Sequence, residues 1–569
     1  MHLTLVGTND WHGWVKPHES TLPDGTPLFQ GGAALFVPYL EALRKDNPGG
    51  VVLLDAGDLF QGTLVSNLTE GAVVIDAFNR LGYAAAAIGN HEFDYGPLGE
   101  VSVATDPSMD PFGALKARIA QAKFPLLAVN LYDAHSGARP GWLPNDGTVL
   151  VEVKGLKVGI LGLTTPSTPY TTNPVNVASL RFGSLVPETQ AAAARLRQQG
   201  ADVVIAVSHA GGKCPELGDP HDLSSCDAPQ SELFILLDGL PEGTLDAIVA
   251  GHTHAPVGHF IHGTPAIETY GMGSSFGTID LYVDPTSKRV LPDRTKIHAN
   301  ISICERANAA GRCDERVSDD PPGTFTPVTF LGTLIKPNAE MQAVLRPALA
   351  KVDEQQRRSL GVIVPKKLGR NYEAESPLGS VFADTLREME HADVALLNSG
   401  GLRADLRAGE LTFGDVYEVI PFDNTIATLE LNGAELKRLL QQAYNGKKGV
   451  FQESGLKLKL GMCAGQGRLK SVTLSDGKPL APEKRYRVVL PDFLARGGDG
   501  LGPVIQTVPE GQVDLGMSRP LNFRDGVIAQ LKKSARTLVA PTAGRISFVD
   551  DGGTCNAGSR VTVQPPGTP

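Results

Sequence analysis

The chain has 569 residues, too many for a single hydrophobic core, and its 41% hydrophobic and 20% charged content describes a globular protein of two large domains. A formal net charge of −10 excludes a surface built to grip nucleic-acid polymers, while a local positive site for one small phosphate ester is still allowed. No apolar run reaches membrane-spanning length, so no transmembrane segment is expected; Met1-His2-Leu3-Thr4-Leu5-Val6 shows no charged segment ahead of a long apolar stretch, so the sequence as given carries no secretory leader, and a leader already removed or a trimmed start is the expectation.

In the first half, short apolar runs at 3–6, 51–54, 84–88, 126–129, 158–163, 203–207 and 247–250 predict strands. Helix-like segments such as 188–199 alternate with them, which predicts a layered α/β domain over 1–335. Residues 300–327, rich in Asp, Arg, Gly and Pro, read as a loop or insertion. Met341, Val344, Leu345, Ala348, Leu349 and Val352 then recur at helical spacing and predict a linker helix within 336–360, at or near an interdomain hinge. A second α/β domain is expected over 361–549, with strands at 394–397, 425–431 and 486–490 and helices at 377–390, 433–444 and 524–536. A Gly/Pro/Thr-rich tail, 550–569, is expected to fray unless Cys555 ties it down.

Of six cysteines, Cys214 with Cys226 and Cys304 with Cys313 form close pairs in polar, turn-rich stretches. No zinc-type spacing competes for them, so two small disulfide-stapled loops and an oxidising compartment are expected, periplasmic or extracellular.

Five of the seven strand runs end in loops that carry possible metal donors: Thr8-Asn9-Asp10-Trp11-His12-Gly13, Asp55-Ala56-Gly57-Asp58, Gly89-Asn90-His91-Glu92, Ser208-His209-Ala210-Gly211 and Gly251-His252-Thr253-His254. Ligands in open α/β sheets gather beyond the strand C-termini, so these loops can converge. Asp10, His12, Asp58, Asn90, His209, His252 and His254 supply carboxylate, imidazole and amide oxygen donors, enough for two divalent metals sharing one carboxylate. Any one of these residues is ordinary at a turn; their recurrence at five separate strand ends is the signal.

In order and type, Asp10-x-His12-Gly13, Gly57-Asp58, Gly89-Asn90-His91-Glu92, His209 and Gly251-His252-x-His254 resemble the calcineurin-like metallophosphoesterases. The longer Thr8-Asn9-Asp10-x-His12-Gly13 and Asn90-His91-Glu92-Phe93-Asp94 resemble the secreted 5′-nucleotidase branch, and the likeness covers nearly the whole chain. It implies an α/β/β/α metallophosphoesterase domain followed by an α/β substrate-recognition domain. It also implies one metal on Asp10, His12 and His254, another on Asn90, His209 and His252, and Asp58 bridging them. Zn, Mn, Co and Fe all suit such mixed donors. A histidine near the phosphate can stabilise developing charge while a carboxylate orients it, and the resemblance gives these roles to His91 and Asp94.

In the second half, Asn398-Ser399-Gly400-Gly401-Leu402-Arg403 sets an amide and a phosphate-binding guanidinium after a strand. Phe422 and Phe493 each adjoin polar turns and can sandwich a nucleobase, and Asp499 can accept ribose hydroxyls. The resemblance supports Asn398, Arg403, Phe422, Phe493 and Asp499, and adds Arg370 as the nearest match to a further phosphate-binding arginine. Ser399 stands where the family often has Gly.

The expected function is hydrolysis of nucleoside 5′-phosphates, extending to di- and triphosphates or nucleotide sugars, by a monomer, with a dimer as the alternative. A 2′,3′-cyclic-nucleotide phosphodiesterase with 3′-nucleotidase activity, a sulfur-compound esterase and a non-catalytic surface-binding protein are the competing readings. Substrate recognition in one domain and metals in the other imply domain closure during turnover.

Overall fold

The computed structural model describes residues 1–550 apart from 22–26, 100, 105, 107, 229–230, 314–324, 446–448, 464–465, 517–521 and 535–536. The chain divides into two compact units, Met1–Arg358 and Ser359–Pro569.

In the first unit, strand His2–Thr8 runs parallel to Val51–Asp55, which continues through Ala85–Ala87 to Leu126–Leu127. Its other edge pairs antiparallel with Ser275–Tyr282, and Lys296–Ser302 closes the sheet. A second sheet runs in the order Val257–Ile261, Thr264–Glu268, Ala247–Ala250, Val203–His209, Leu156–Thr164 and Thr148–Val153. All seven residues of Val203–His209 are buried, as a strand covered on both faces requires.

The sheets face each other: Leu3, Leu5, Val52 and Leu54 share one buried cluster with Val158, Ile160, Ile205 and Val249. Behind the second sheet, helices Leu185–Gln198 and Glu232–Gly239 contribute Ala192, Leu196, Phe234 and Leu237 to another cluster. On the first sheet, Phe36 of helix Ala33–Asp46 packs its ring 5.3 Å from Phe276. The order is helix, sheet, sheet, helix. The parallel strands therefore send their C-terminal loops, those that carry the donor-rich motifs, toward one rim.

Both anticipated disulfides form, Cys214–Cys226 and Cys304–Cys313. The former clips the segment just after His209, and Cys214 N–H donates to Pro256 O (2.9 Å), tying it to the loop beyond His254. Of the expected tail, 550–569, Asp550 ends strand Ile546–Asp550, and 551–569 with Cys555 lie outside the described residues.

Two features depart from the sequence reading. Residues 300–302 finish the edge strand Lys296–Ser302, and Arg306–Ala307 pairs with Thr326–Pro327, so the segment read as loop is partly sheet. The helix beyond it spans Ala339–Gln356, with Asn338 accepting from Met341 N at 2.9 Å as its N-cap, and residues 359–360 belong to strand Ser359–Val364. That helix packs on Ala33–Asp46, Leu64–Asn67 and Ala72–Leu81, so its apolar face is buried within the first unit.

The second unit has a mixed sheet in the order Phe451–Ser454, Val394–Asn398, Arg485–Pro491, Ile426–Asn432 and Val513–Asp514. A further sheet joins Gln466–Leu474, Leu456–Cys463 and Ile546–Asp550. Helices Pro377–Met389, Gly433–Tyr444 and Phe523–Ser534 accompany the sheets. Asn432 and Glu435 form a reciprocal capping box at the start of the second helix.

Glu453 lies buried in this core. Burial pushes its carboxyl up to about 8, although the Tyr444 hydroxyl donates to its Oε2 at 2.7 Å. The folded unit thus keeps a proton that an unfolded glutamate releases near 4.5, so stability falls as pH rises from about 4.5 to about 8. Glu453→Gln is expected to flatten that part of the profile: its melting temperature should drop less than the parent's between these pH values in scanning calorimetry.

Candidate active site

Five of the seven candidate ligands sit in left-handed backbone, Asp10 (φ 51°), His12 (46°), Asp58 (57°), His252 (88°) and His254 (52°). Side chains with a Cβ resist this region, and such strain persists only where surrounding contacts hold it. Those contacts are visible. Asp10 N–H donates to Gly57 O (2.9 Å), His12 N–H to Asp58 O (3.0 Å) and Met272 N–H to Asp10 O (2.6 Å). The first strand's loop is thereby laced to the loops after Val51–Asp55 and Thr264–Glu268.

The side chains converge in two groups, each with its donor atoms within 4.8 Å: Asp10, His12 and His254, and Asp58, His209 and His252. Asn90 joins the second through its Oδ1, 3.0 Å from His209 Nε2. Asp58 Oδ2 lies between the groups, 3.0 Å from His209 Nε2 and 3.8 Å from His12 Nε2.

The hydrogen bonds around the rings test whether this arrangement suits cations. His12 Nδ1 reaches Gln61 O at 2.7 Å, and His209 Nδ1 reaches Ala56 O at 2.8 Å. A carbonyl only accepts, so Nδ1 carries the hydrogen, and in a neutral ring the lone pair sits on Nε2. His12 Nε2 then meets His254 Nε2 at 3.1 Å, and His209 Nε2 meets two oxygens. Asp10 Oδ2 accepts from Asn9 Nδ2 (2.7 Å) and His252 N–H (2.9 Å). Among the described residues its buried Oδ1 has no hydrogen bond of good geometry, and His254 Nε2 stands 3.2 Å away. Lone pairs aimed at lone pairs and carboxylates need positive charge among them, and these donors fit divalent cations.

Without a cation, the positive charge has to come from the rings themselves. Burial alone would lower His209, yet neighbouring Asp58 and Asp10 hold it up to about 10. Burial opposes ionisation of Asp58, and His209 and His91 overcome it to hold the carboxyl well below its usual range.

Three buried residues that the sequence reading left without a role hold the loops in place. Glu92 accepts from the N–H groups of Asp58 (2.8 Å), Leu59 (2.7 Å) and Gly89 (2.6 Å). Burial and then the Asp58 charge raise its carboxyl to about 7. Glu268 accepts from Thr253 N–H (3.0 Å), Thr253 Oγ1 (2.6 Å) and Gly212 N–H (2.9 Å), joining the His252 loop to the segment after His209. Asn9 clamps Asp10 to Thr269. Each stands at or beside the end of an apolar strand or inside a donor-rich loop, so a signal existed.

His91 Nδ1 pairs with Asp94 Oδ2 at 2.5 Å, and the Thr172 hydroxyl donates to Asp94 Oδ1. The His91 ring stands 5.4 Å from the His12 ring, beside the clusters.

In the second unit, the Arg403 guanidinium lies 6.0 Å from the Phe422 ring centroid. Arg370 donates Nη1 to Leu402 O (3.1 Å) and lies within electrostatic reach of Arg403, so these three gather. Asn398 Oδ1 faces Gly401, where a Cβ would come within 2.9 Å. Phe493 lies down on the turn at Gly498, beside Asp499 (φ 50°). Tyr372, exposed and absent from the sequence reading, lies along Gly400 and Gly449, within electrostatic reach of both Arg403 and Asp499.

Gly89 touches Asp58 so closely that a Cβ there would sit 2.2 Å from Asp58 Oδ1 and 2.6 Å from its backbone nitrogen. Gly89→Ala is expected to displace Asp58 and lower metal affinity about 10–100-fold, as lost support of a metal ligand does. Equilibrium dialysis with manganese checks this.

Two family models match the chain: calcineurin-like phosphoesterase over residues 3–256 and the 5′-nucleotidase C-terminal domain over residues 359–507. A 5′-nucleotidase of Vibrio cholerae is 28% identical over 528 residues, 88% of this chain and 85% of that protein. The cell wall protein Lmo0130 of Listeria monocytogenes is 24% identical over 581 residues, 95% of this chain and 69% of that one. The crystal structure of a 5′-nucleotidase precursor from Thermus thermophilus superposes with a TM-score of 0.75 at 25% identity, covering 97% of this chain and all of that one. With both halves matched in the same order, the chain is a phosphoric-ester hydrolase of the family that joins a calcineurin-like metallophosphoesterase domain to a 5′-nucleotidase C-terminal domain.

Proposed function

We propose that the protein hydrolyses nucleoside 5′-phosphates to nucleoside and phosphate, with nucleoside di- and triphosphates or nucleotide sugars as further substrates. One observation carries the reading: two clusters of nitrogen and oxygen donors lie on either side of a single buried carboxylate, Asp58. In this reading Asp10, His12 and His254 would hold one divalent cation and Asn90, His209 and His252 another, with Asp58 within reach of both. When bound, such a pair supplies hydroxide near neutral pH and neutralises charge on the entering and leaving oxygens.

The chain's own residues do the rest. His12 and His209 keep Nε2 as the donor atom because their Nδ1 hydrogens are committed to backbone carbonyls. Asp94 fixes the His91 ring beside the clusters, where it can stabilise the negative charge that builds on a phosphoryl oxygen. Arg370 and Arg403 receive phosphate oxygens as charge-assisted donors, helped by the Asn398 amide. Phe422 and Phe493 stack on the base, and Asp499 accepts from the ribose hydroxyls.

The place of action we propose is outside the cytoplasm. Two disulfides support it, as does the cell-wall designation of the Listeria relative. Among the described residues no helix is long and apolar enough to cross a membrane.

A panel of AMP, UMP, ADP, UDP-glucose, 2′,3′-cyclic AMP and p-nitrophenyl phosphate, assayed with manganese, zinc or cobalt, tests the reading. The 5′-monophosphates should give the highest kcat/KM; a clear preference for the cyclic nucleotide would replace this reading with the phosphodiesterase one. Asp58→Ala should abolish turnover of every substrate. Phe422→Ala should cost AMP about 1–3 kcal/mol in kcat/KM, the strength of one base–aromatic stack, with p-nitrophenyl phosphate nearly unaffected.

A further inference from the structure

Arg524 is 5% exposed, and nothing in the function above accounts for burying a guanidinium there. It extends from the first turn of helix Phe523–Ser534 and lies on the face of Tyr417, 4.0 Å from the ring centroid. Its Nη2 donates to Asp423 Oδ1 at 2.6 Å, and its Nη1 reaches Ile420 O and Phe422 O, each at 3.4 Å. Next to it, Phe523 N–H donates to Asn424 O at 2.7 Å. The hydrogen bonds all fall on one short turn, the one that carries Phe422, and Tyr417 lies on helix Phe413–Val419 just before it.

The other side of that turn is held by the segment that carries Phe493. Asp492, also buried, accepts on Oδ1 from Thr425 N–H (3.0 Å) and Asn424 Nδ2 (3.1 Å), while Arg496 Nε donates to its Oδ2 (3.0 Å). Its own N–H donates to Thr425 O at 3.0 Å. The two ring-bearing segments are thus joined directly, one residue from Phe493 and two from Phe422, and Arg524 presses the joined turn against a helix from behind.

We infer that Arg524 is a positioning residue for nucleobase recognition: it fixes the Phe422 turn, already tied to the Phe493 segment through Asp492, so that the Phe422 ring is held in place for a flat base. The inference rests on the base-stacking reading above. A charge is used because the turn offers a carboxylate and two carbonyls at once, and only a planar fork of donors satisfies them together. Burial of that fork is tolerated because Tyr417 covers its face and Asp423 neutralises it. Asp423 is half exposed, so removing Arg524 leaves a carboxylate that water can reach rather than a stranded buried charge.

The test compares Phe422→Ala, Arg524→Met and the double variant on AMP and p-nitrophenyl phosphate with the metal-loaded full chain, following kcat and KM separately. Methionine keeps an unbranched side chain against Tyr417 and removes every donor. Arg524→Met should lower kcat/KM for AMP about 10- to 100-fold, chiefly through KM, the scale on which a misplaced binding group acts. p-Nitrophenyl phosphate should change less than twofold, and in the Phe422→Ala background the Arg524 substitution should add nothing. Equal losses on both substrates, or full additivity in the double variant, would mean a merely structural arginine and overturn the inference. Selective loss in Phe422→Ala with none in Arg524→Met overturns the positioning role alone. No selectivity in Phe422→Ala overturns base stacking and this inference with it. Should Arg524→Met fail to fold, Asp423→Asn keeps the shape of the turn and weakens the same contact; it should show the same substrate selectivity at smaller size, and its absence counts against the proposal equally.

Discussion

Asp58 carries the arrangement on which the rest of the first unit depends. A buried carboxylate with one oxygen bound to a backbone N–H and the other facing imidazoles from two different loops is costly unless positive charge surrounds it. The chain meets that cost locally. Glu92 grips the backbone of Asp58 and Leu59, Gly89 leaves room beside the carboxylate, and the left-handed turn at Asp58 aims the side chain inward. The same three devices, a buried acid that holds loop N–H groups, a glycine at close approach and a strained ligand, recur around His252 and His254 with Glu268, Gly251 and Asp10.

This explains why the sheets are where they are. Parallel strands covered on both faces are rigid, and their C-terminal ends lie side by side at a spacing set by backbone hydrogen bonds. A loop that leaves such a strand starts from a known point. Candidate ligands placed from the strand's last residue, as His209 is, to four residues beyond it, as His12 and His254 are, inherit that precision, and neighbours such as Asn9 only have to correct orientation. The Cys214–Cys226 bridge serves the same end by holding the long segment after His209 against the chain beyond His254.

The second unit solves a different problem with the same materials. A base needs two flat surfaces at a fixed gap, and aromatic rings on separate turns are held only as firmly as the turns themselves. Asp492 ties the two turns together, and Arg524 backs one of them against a helix. The Asp492 carboxylate and the Arg524 guanidinium are buried and paired, whereas Arg370, Arg403 and Asp499, the proposed substrate contacts, are exposed or half-buried.

Much of this was legible in order. The seven apolar runs all became strands, because a doubly covered strand must be apolar along its length, and the donor-bearing loops stood out because His and Asp recur straight after those runs. The alternation Leu456-Lys457-Leu458-Lys459-Leu460 is equally readable as a half-buried strand, and the three leucines are buried while both lysines are exposed. What the chain order settled was composition: which donors exist, on which loops, and that two cysteine pairs lie within closing distance. What only the folded structure decided was pairing across long separations. His12 meets His254 over 242 residues, Glu268 meets Gly212 over 56, and Arg524 meets Asp423 over 101. Local propensity acts over a few residues, whereas these contacts depend on sheet order and register, which arise only when distant strands pack.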